Sequence, residues 1–162
     1  MLTAVIRAPG SAQAIAATFA VLIPAVAEGF IGHAVVVDTV GADGLARIAD
    51  ATGASYLRAG NAEGWHLGAK EARGDWLLLL DAGDVPQFNW AQAVERHLLL
   101  APDAPALLPL RGFAASLRER AAISFGGRRL RAGLIAPKGV VLAGRLGHAP
   151  RRLPMGRERV SG

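Results

Sequence analysis

The stretch DWLLLLDAGD, residues 75–84, places an aliphatic run directly before two acidic residues that stand three positions apart. An uninterrupted apolar run is typical of a strand covered on both faces, because a half-exposed strand alternates apolar and polar residues. Asp81 and Asp84 then lie where this strand ends. The stretch therefore predicts a buried central strand, whose acids either hold a ligand or only form a polar turn.

Strands and helices alternate on both sides of this stretch. Alternation with short polar joints indicates a mostly parallel sheet flanked by helices, and 162 residues suit a single domain. We expect an α/β domain over 1–148 and a mobile basic tail over 149–162. The predicted strands are 2–6, 33–38, 54–57, 76–80 and 106–110, with 134–135 and 140–142 as shorter candidates. The first predicted helix begins after Ser11, and the others cover 44–51, 62–73, 89–100 and 113–122.

The composition narrows the chemistry. The chain has no cysteine, which excludes disulfides, thiolate metal sites and a cysteine nucleophile, and which fits a reducing compartment. The four histidines, at positions 33, 66, 97 and 148, do not have the spacing of zinc ligands. Catalysis or binding must therefore rest on Asp, Glu, His, Ser, Arg and Lys.

The charge is divided unevenly along the chain. Residues 1–110 carry a net charge of −5 and residues 111–162 a net charge of +10. The basic part favours phosphate-rich partners, such as a nucleotide diphosphate, an anionic acceptor or an anionic membrane surface, although a solvated basic surface explains it equally well. Arg128, Arg129 and Arg131 are candidates for such contacts. Nucleic acid is disfavoured because no aromatic residues are interleaved with the basic ones.

One uncharged segment, 11–27, has features of a targeting signal. Ala25-Val-Ala27 looks like a small-residue cleavage site, but Arg7 is the sole positive charge before it and Pro24 interrupts the apolar run. No segment reaches the roughly 18 strongly apolar residues of a membrane span. We expect a cytoplasmic protein, with peripheral attachment to the inner face of the membrane left open.

Polar residues follow three of the predicted strands. In an open parallel sheet, ligands bind at the carboxyl edge, and Pro9, Asp38 with Asp43, and Asp81 with Asp84 all fall there. Carboxylates repel a bare diphosphate, so such a site would need a divalent cation, for which Mg²⁺ or Mn²⁺ is suited. Taken alone, the spacing also fits simple capped turns.

The order of these features is informative. Val37-Asp38-Thr-Val-Gly-Ala-Asp43-Gly44 is followed by Gly68-Ala-Lys-Glu-Ala-Arg-Gly74 and then by the 75–84 stretch. This succession, over roughly residues 2–88, resembles the amino-terminal half of family 2 glycosyltransferases, in a compact and degenerate form. A weaker similarity continues in 133–138 and 144–148.

The resemblance implies a nucleotide-diphospho-sugar transferase domain of the glycosyltransferase A type. It implies that Asp38 contacts the nucleoside, that Asp43 caps the following helix, and that Asp84 first and Asp81 second bind Mg²⁺ or Mn²⁺. The metal would stabilise the departing nucleotide diphosphate as a Lewis acid. Pro9, Asp38, Asp43 and Asp81 are the predicted nucleotide-binding residues.

The chain departs from the family pattern at several positions. Thr39 replaces an acid, His66 replaces an Asn, and Gly83 replaces the middle acid of the Asp-x-Asp-type motif. Inverting transfer also needs a general base. In the second part of the chain, Glu119 is expected to be solvated, which leaves Glu158 as the candidate base. Two hypotheses follow: a glycosyltransferase acting on an unknown acceptor, or an inactive relative acting as a nucleotide-binding or basic-surface interaction module.

Overall fold

The computed structural model describes residues 1–112, 117–121 and 128–160. The helix expected over 113–122 lies partly outside this range, and its described part, 117–121, is helical. The strands are β1 Leu2–Ala8, β2 Ile31–Asp38, β3 Ser55–Arg58, β4 Trp76–Asp81, β5 Asp84–Pro86, β6 Ala106–Leu107, β7 Leu134–Pro137, β8 Arg151–Arg152 and β9 Arg157–Arg159. The longer helices are α1 Ala12–Ala27, α2 Leu45–Thr52, α3 Gly64–Glu71, α4 Trp90–Leu100 and α5 Lys138–Leu142.

Seven strands form one mostly parallel sheet in the order β3-β2-β1-β4-β7-β6-β8. β1 pairs in parallel with β2 on one side and with β4 on the other, whereas β7 runs antiparallel to its neighbours β4 and β6. A second, two-stranded sheet joins β5 to β9. This architecture confirms the predicted α/β fold with a mostly parallel sheet.

The aliphatic run of β4 is buried on both faces. Leu78 and Leu80 pack into a core with α1, α2 and α4, while Leu77 and Leu79 pack into a second core with α3 and α5. All four leucines have no solvent exposure, and burying each one contributes about 1.5–3 kcal/mol. The two-sided cover is the physical reason why the run does not alternate.

Local signals explain where α1 begins. The side chain of Ser11 accepts a hydrogen bond from the amide of Ala14, as expected for an N-cap. Ile15, Phe19 and Leu22 form the buried face of the helix. The helix continues past Pro24 and ends at Ala27.

In the described part of the chain, no helix is both long and apolar enough to span a membrane.

The segment 140–142 was expected to be a strand, and this prediction is wrong. It lies in α5, where the amide of Ala143 donates to the carbonyl of Gly139 and Val141 packs into the core beside α3. Three β-branched or apolar residues are too few to define a period, so packing decides the conformation.

The segment 149–160 packs against the rest of the molecule. It contributes β8 to the large sheet and β9 to the small one, and Arg157 is only 3% exposed. The expectation of a mobile tail therefore does not describe this part, and residues 161 and 162 lie outside the described range. The division at residue 148 stays a prediction, since it concerns whether 1–148 folds without this segment.

Candidate functional site

The carboxyl edge of the large sheet gathers polar side chains from neighbouring strands. In register, Ala8 of β1 faces Asp38 of β2, and Arg7 of β1 faces Asp81 of β4. Because paired strands lie about 4.8 Å apart, Asp38 and Asp81 stand about 10 Å apart across β1. The topology thus brings both predicted acids to one edge, on either side of β1, with Arg7 in register with Asp81.

Asp38 organises the loop that follows β2. Its Oδ1 accepts hydrogen bonds from the amides of Val40, Gly41 and Ala42 at 3.1, 2.7 and 3.3 Å, and its Oδ2 accepts one from the Tyr56 hydroxyl at 2.8 Å. Burial by itself would raise the pKa of Asp38, but the hydrogen bonds from Tyr56 and the three amides outweigh it and lower that pKa below its ordinary value of 3.8. Asp38 is therefore a buried carboxylate whose oxygens are engaged within the protein.

Removing the Tyr56 hydroxyl is expected to weaken the protein in a pH-dependent way. In Tyr56→Phe, the pKa of Asp38 should rise towards its ordinary value, because one hydrogen bond to the carboxylate is lost. A depressed folded-state pKa adds stability above the ordinary value, and this stability disappears as the pH falls through the folded-state value. The difference between wild type and variant should therefore be full at neutral pH and vanish in strong acid.

Urea unfolding of both proteins across this pH range measures the effect. Phe88→Leu, which changes an exposed aromatic side chain, should show no such pH dependence. A loss in Tyr56→Phe that is the same at every pH would contradict the assigned role of the hydroxyl.

The other predicted residues of this edge are less engaged. Asp43 is exposed. The N-cap of α2 is Gly44, and no side chain caps the helix, so the expected capping role of Asp43 is wrong. Gly44 has φ +86°, a left-handed conformation that glycine adopts without strain. Pro9 is exposed after β1, and the Thr39 hydroxyl donates to the carbonyl of Ala8. A nucleotide-binding role for Pro9 and Asp43 stays a prediction.

Asp81 and Asp84 are surrounded by three arginines, and we call these five residues the acid–arginine cluster. Arg7 Nε donates to Asp81 Oδ1 at 2.9 Å, and Arg159 Nη2 donates to Asp81 Oδ2 at 3.2 Å and to Asp84 Oδ1 at 2.8 Å. Arg157 Nε donates to Asp84 Oδ2 at 3.1 Å. All four carboxylate oxygens of the pair therefore accept a guanidinium hydrogen bond.

The small sheet places two of these arginines. β5 pairs with β9 so that Asp84 faces Arg159 and Pro86 faces Arg157. Since side chains alternate along a strand, Arg157 and Arg159 point to the acids while Glu158 points to the other face. The amide of Val160 also donates to the carbonyl of Gly83 at 2.9 Å. The carboxyl-terminal strand is thus held against the turn that carries the acids.

Arg157 is the most deeply buried arginine of the cluster. Its Nη1 donates to the carbonyl of Leu108 and, at 3.1 Å, to Glu119 Oε1. Glu119 also accepts from the amide of Leu110 at 2.9 Å, and its side chain is 9% exposed. The expectation that Glu119 is solvated is wrong, because this carboxylate pairs with a buried arginine that sequence proximity did not reveal.

The comparisons with known proteins identify the fold. No family model matches the sequence, and no curated protein matches it. Among solved structures, the chain is similar to glucosyl-3-phosphoglycerate synthase from Mycobacterium tuberculosis, in complex with Mn²⁺, UDP and phosphoglyceric acid. The two share 17% sequence identity with a TM-score of 0.73, and the match covers 100% of this chain and 71% of that one. The chain has a glycosyltransferase A-type fold. The S. aureus protein TarS, in complex with UDP, is 14% identical with a TM-score of 0.61, covering 85% of this chain and 47% of that one.

The predicted divalent cation does not fit this glycosyltransferase A-type site as it is arranged. Every oxygen of Asp81 and Asp84 already accepts a hydrogen bond from an arginine, whose positive charge would repel a cation, and Asp84 has no solvent exposure. Within 1–112, 117–121 and 128–160, no group of three His, Cys, Asp or Glu side chains is placed to hold a metal ion. The similar solved structure contains Mn²⁺. In this chain, arginines contact both acids.

The candidate base Glu158 lies on the opposite face of β9 from the acid–arginine cluster. It is exposed, and its Oε1 accepts a hydrogen bond of 3.4 Å from Gln87. It borders an open cavity of about 470 Å³ whose wall includes Val85, Phe88 and Met155. Its catalytic role stays a prediction, and any acceptor that it serves would have to occupy this cavity.

The basic candidates of the second half are distributed over several places. Arg128 and Arg129 are exposed, and Arg129 forms an isolated strand bridge with Arg145. Burial lowers the pKa of Arg131, with a smaller opposing effect of Glu119 and a further lowering by Arg157. The electrostatic effects of Glu119 and Arg157 place Arg131 near the cluster. Contact of Arg128 or Arg129 with an anionic partner stays a prediction.

Sequence reasoning missed Arg7, Arg157 and Arg159 as site residues. For Arg7 a signal existed, because it lies at the end of β1 and parallel neighbouring strands end at the same edge. For the other two, spacing by two residues in a strand would have placed both on one face. That signal required knowing that 157–159 is a strand paired with β5, which the local sequence does not indicate.

Proposed function

We propose that this chain binds a nucleotide-diphospho-sugar at the carboxyl edge formed by β1, β2 and β4. The observation that carries the proposal is the placement of the Asp38 loop and the acid–arginine cluster at one edge of a glycosyltransferase A-type sheet. Two solved structures of this fold are complexes with UDP, which supports the nucleotide as the ligand class. The sugar and the acceptor are not specified by these residues.

The edge offers complementary chemistry to the two parts of such a ligand. At one end, the loop after β2 is held rigid by Asp38, so its backbone is preorganised beside the space that a nucleoside would fill. At the other end, Arg7 and Arg159 reach the surface with side chains that are 21% and 43% exposed. Guanidinium groups bind phosphate oxygens in a bidentate manner, which suits a diphosphate.

Titration with UDP-glucose and with a GDP-sugar tests the proposal. Calorimetry should show saturable binding of at least one of them, and amide NMR signals of residues 7–11, 38–42 and 81–84 should shift. Signals of residues 73–75, at the opposite edge of the sheet, should stay in place. A folded sample that binds neither nucleotide sugar, or binds one with shifts confined to other regions, would refute the proposed site.

Transfer of the sugar is the step that separates the two hypotheses. An active transferase would use Glu158 as the general base that deprotonates the acceptor hydroxyl. The position of Glu158, facing away from the acid–arginine cluster, favours the alternative of a nucleotide-binding relative that does not transfer sugar. Donor hydrolysis or transfer that is lost in Glu158→Gln but retained in Glu71→Gln, a change of an exposed acid at the far end of α3, would establish the active version.

A further inference from the structure

We propose that arginine side chains, and not a divalent cation, supply the positive charge that meets the diphosphate at this edge. The inference rests on the proposed nucleotide binding and concerns how the acid pair of this chain is used. The observation behind it is that Asp81 and Asp84, the predicted metal ligands, accept a guanidinium hydrogen bond at each of their four carboxylate oxygens.

The arginines lie where a cation bridging Asp81 and Asp84 would have to lie. Arg159 contacts both acids at once, through its Nη2 at 3.2 Å from Asp81 Oδ2 and 2.8 Å from Asp84 Oδ1. Its Nε makes a further contact of 3.0 Å with Asp84 Oδ1. A single guanidinium group therefore bridges the two carboxylates. A metal ion could reach the same oxygens only after this group moved away.

The inner part of this arrangement, the pair of Arg157 and Asp84, belongs to the folded core. Arg157 is 3% exposed and Asp84 has no exposure, so their pairing is shielded from water and salt. The strand that carries Arg157 and Arg159 is fixed by its pairing with β5. At Gly133, an added Cβ would come within 2.5 Å of the Leu108 carbonyl oxygen and against the Arg157 guanidinium, so the chain leaves room there for this arginine.

The acids of the cluster carry no uncompensated negative charge. Arg7, Arg157 and Arg159 pair with Asp81, Asp84 and Glu119, and Arg152 lies a further 3.9 Å from Glu119. A diphosphate that approaches the edge is therefore not repelled by uncompensated carboxylates, and no divalent cation is needed to neutralise them.

Two of the arginines keep hydrogen-bond donors available for a ligand. Among the described residues, no hydrogen bond is formed by Nη1 of Arg159 or by Nη1 and Nη2 of Arg7. The Arg7 guanidinium is further fixed by stacking over the Trp65 ring, with 4.5 Å between its Cζ and the ring centroid. Asp81 holds both groups from either side, so their unused donors form a preorganised receptor for phosphate oxygens.

The test compares binding of UDP in EDTA with binding in Mn²⁺, for wild type, Arg159→Gln, Arg7→Gln and the control Arg73→Gln. Arg73 is exposed and precedes β4, at the edge opposite the cluster. We expect wild type and the control to bind UDP equally well with and without the metal. In EDTA, Arg159→Gln and Arg7→Gln should each lose about tenfold or more in affinity, since each removes charge-assisted hydrogen bonds to phosphate.

Titration of Mn²⁺ alone, followed by electron paramagnetic resonance, gives a second readout that needs no nucleotide. Wild type should show no binding of Mn²⁺ at the acid pair, while Arg159→Gln should gain it, because Asp81 Oδ2 and Asp84 Oδ1 lose their partner. Thermal melting shows whether each variant is folded. If Arg159→Gln is unfolded, Arg7→Gln still tests the inference, because it leaves the buried Asp84 paired with Arg157 and Arg159.

The outcomes separate the two proposals. UDP binding that requires Mn²⁺, or Mn²⁺ binding to the acid pair of the wild type, would overturn the inference and leave the proposed function standing. Absence of UDP and nucleotide-sugar binding under both conditions would refute the proposed function, and the inference would fall with it. Metal-independent binding that disappears in the cluster variants and persists in Arg73→Gln supports both.

Discussion

Replacing Arg157 with alanine is expected to lower the free energy of unfolding by about 3–5 kcal/mol, which is the usual cost of breaking a buried ion pair by removing one partner. The variant leaves Asp84, with no exposure, and Glu119, with a side chain 9% exposed, without their shared cation. It also removes the hydrogen bond to the carbonyl of Leu108. Chemical denaturation at neutral pH measures the loss.

A matched variant and a double variant make this test specific. Arg151→Ala removes an exposed arginine from β8 and should change stability by less than about 0.5 kcal/mol. Arg157→Ala combined with Asp84→Ala should cost less than the sum of the two single changes, because both single changes break the same buried ion pair. A loss in Arg157→Ala no larger than in Arg151→Ala would show that the pairing does not stabilise the fold.

Replacing Gly133 with alanine should destabilise the protein by more than about 2 kcal/mol, from backbone strain and overpacking together. Gly133 has φ +85°, a conformation that other residues adopt only at a cost. Its new methyl group would meet the Leu108 carbonyl oxygen at 2.5 Å and the Arg157 guanidinium. Relief of this clash would displace Arg157 from Asp84, so thermal melting should show a clear decrease.

Gly139→Ala is the control for the glycine variant. Gly139 lies in α5, without a positive φ, and an added Cβ there would meet nothing within 4 Å. This change should be neutral or slightly stabilising, because alanine favours a helix more than glycine does. Equal melting temperatures for Gly133→Ala and the wild type would contradict the close packing of Arg157 against this backbone.

Much of the fold was predictable because its signals are local. The apolar run of β4 indicated a strand covered on both faces, and the structure confirms leucines packed on each side. Ser11 indicated the start of α1, and the predicted helix over 44–51 corresponds to α2. The candidate site was less predictable. Asp38 and Asp81 were placed at the correct edge by chain order, but the side chains that donate to them come from β3, β9 and the end of β1.

The sequence by itself determined the alternation of strands and helices, the buried position of β4 and the delivery of Asp81 and Asp84 to the end of that strand. These properties follow from hydrophobic periodicity and from residues close in the chain. Only the tertiary structure decided what those acids contact. Arg157 and Arg159 lie 73 and 75 residues from Asp84, and the pairing of β5 with β9 brings them together. A pairing over that separation depends on the packing of the whole chain, and it converts a predicted metal site into an acid pair held by arginines.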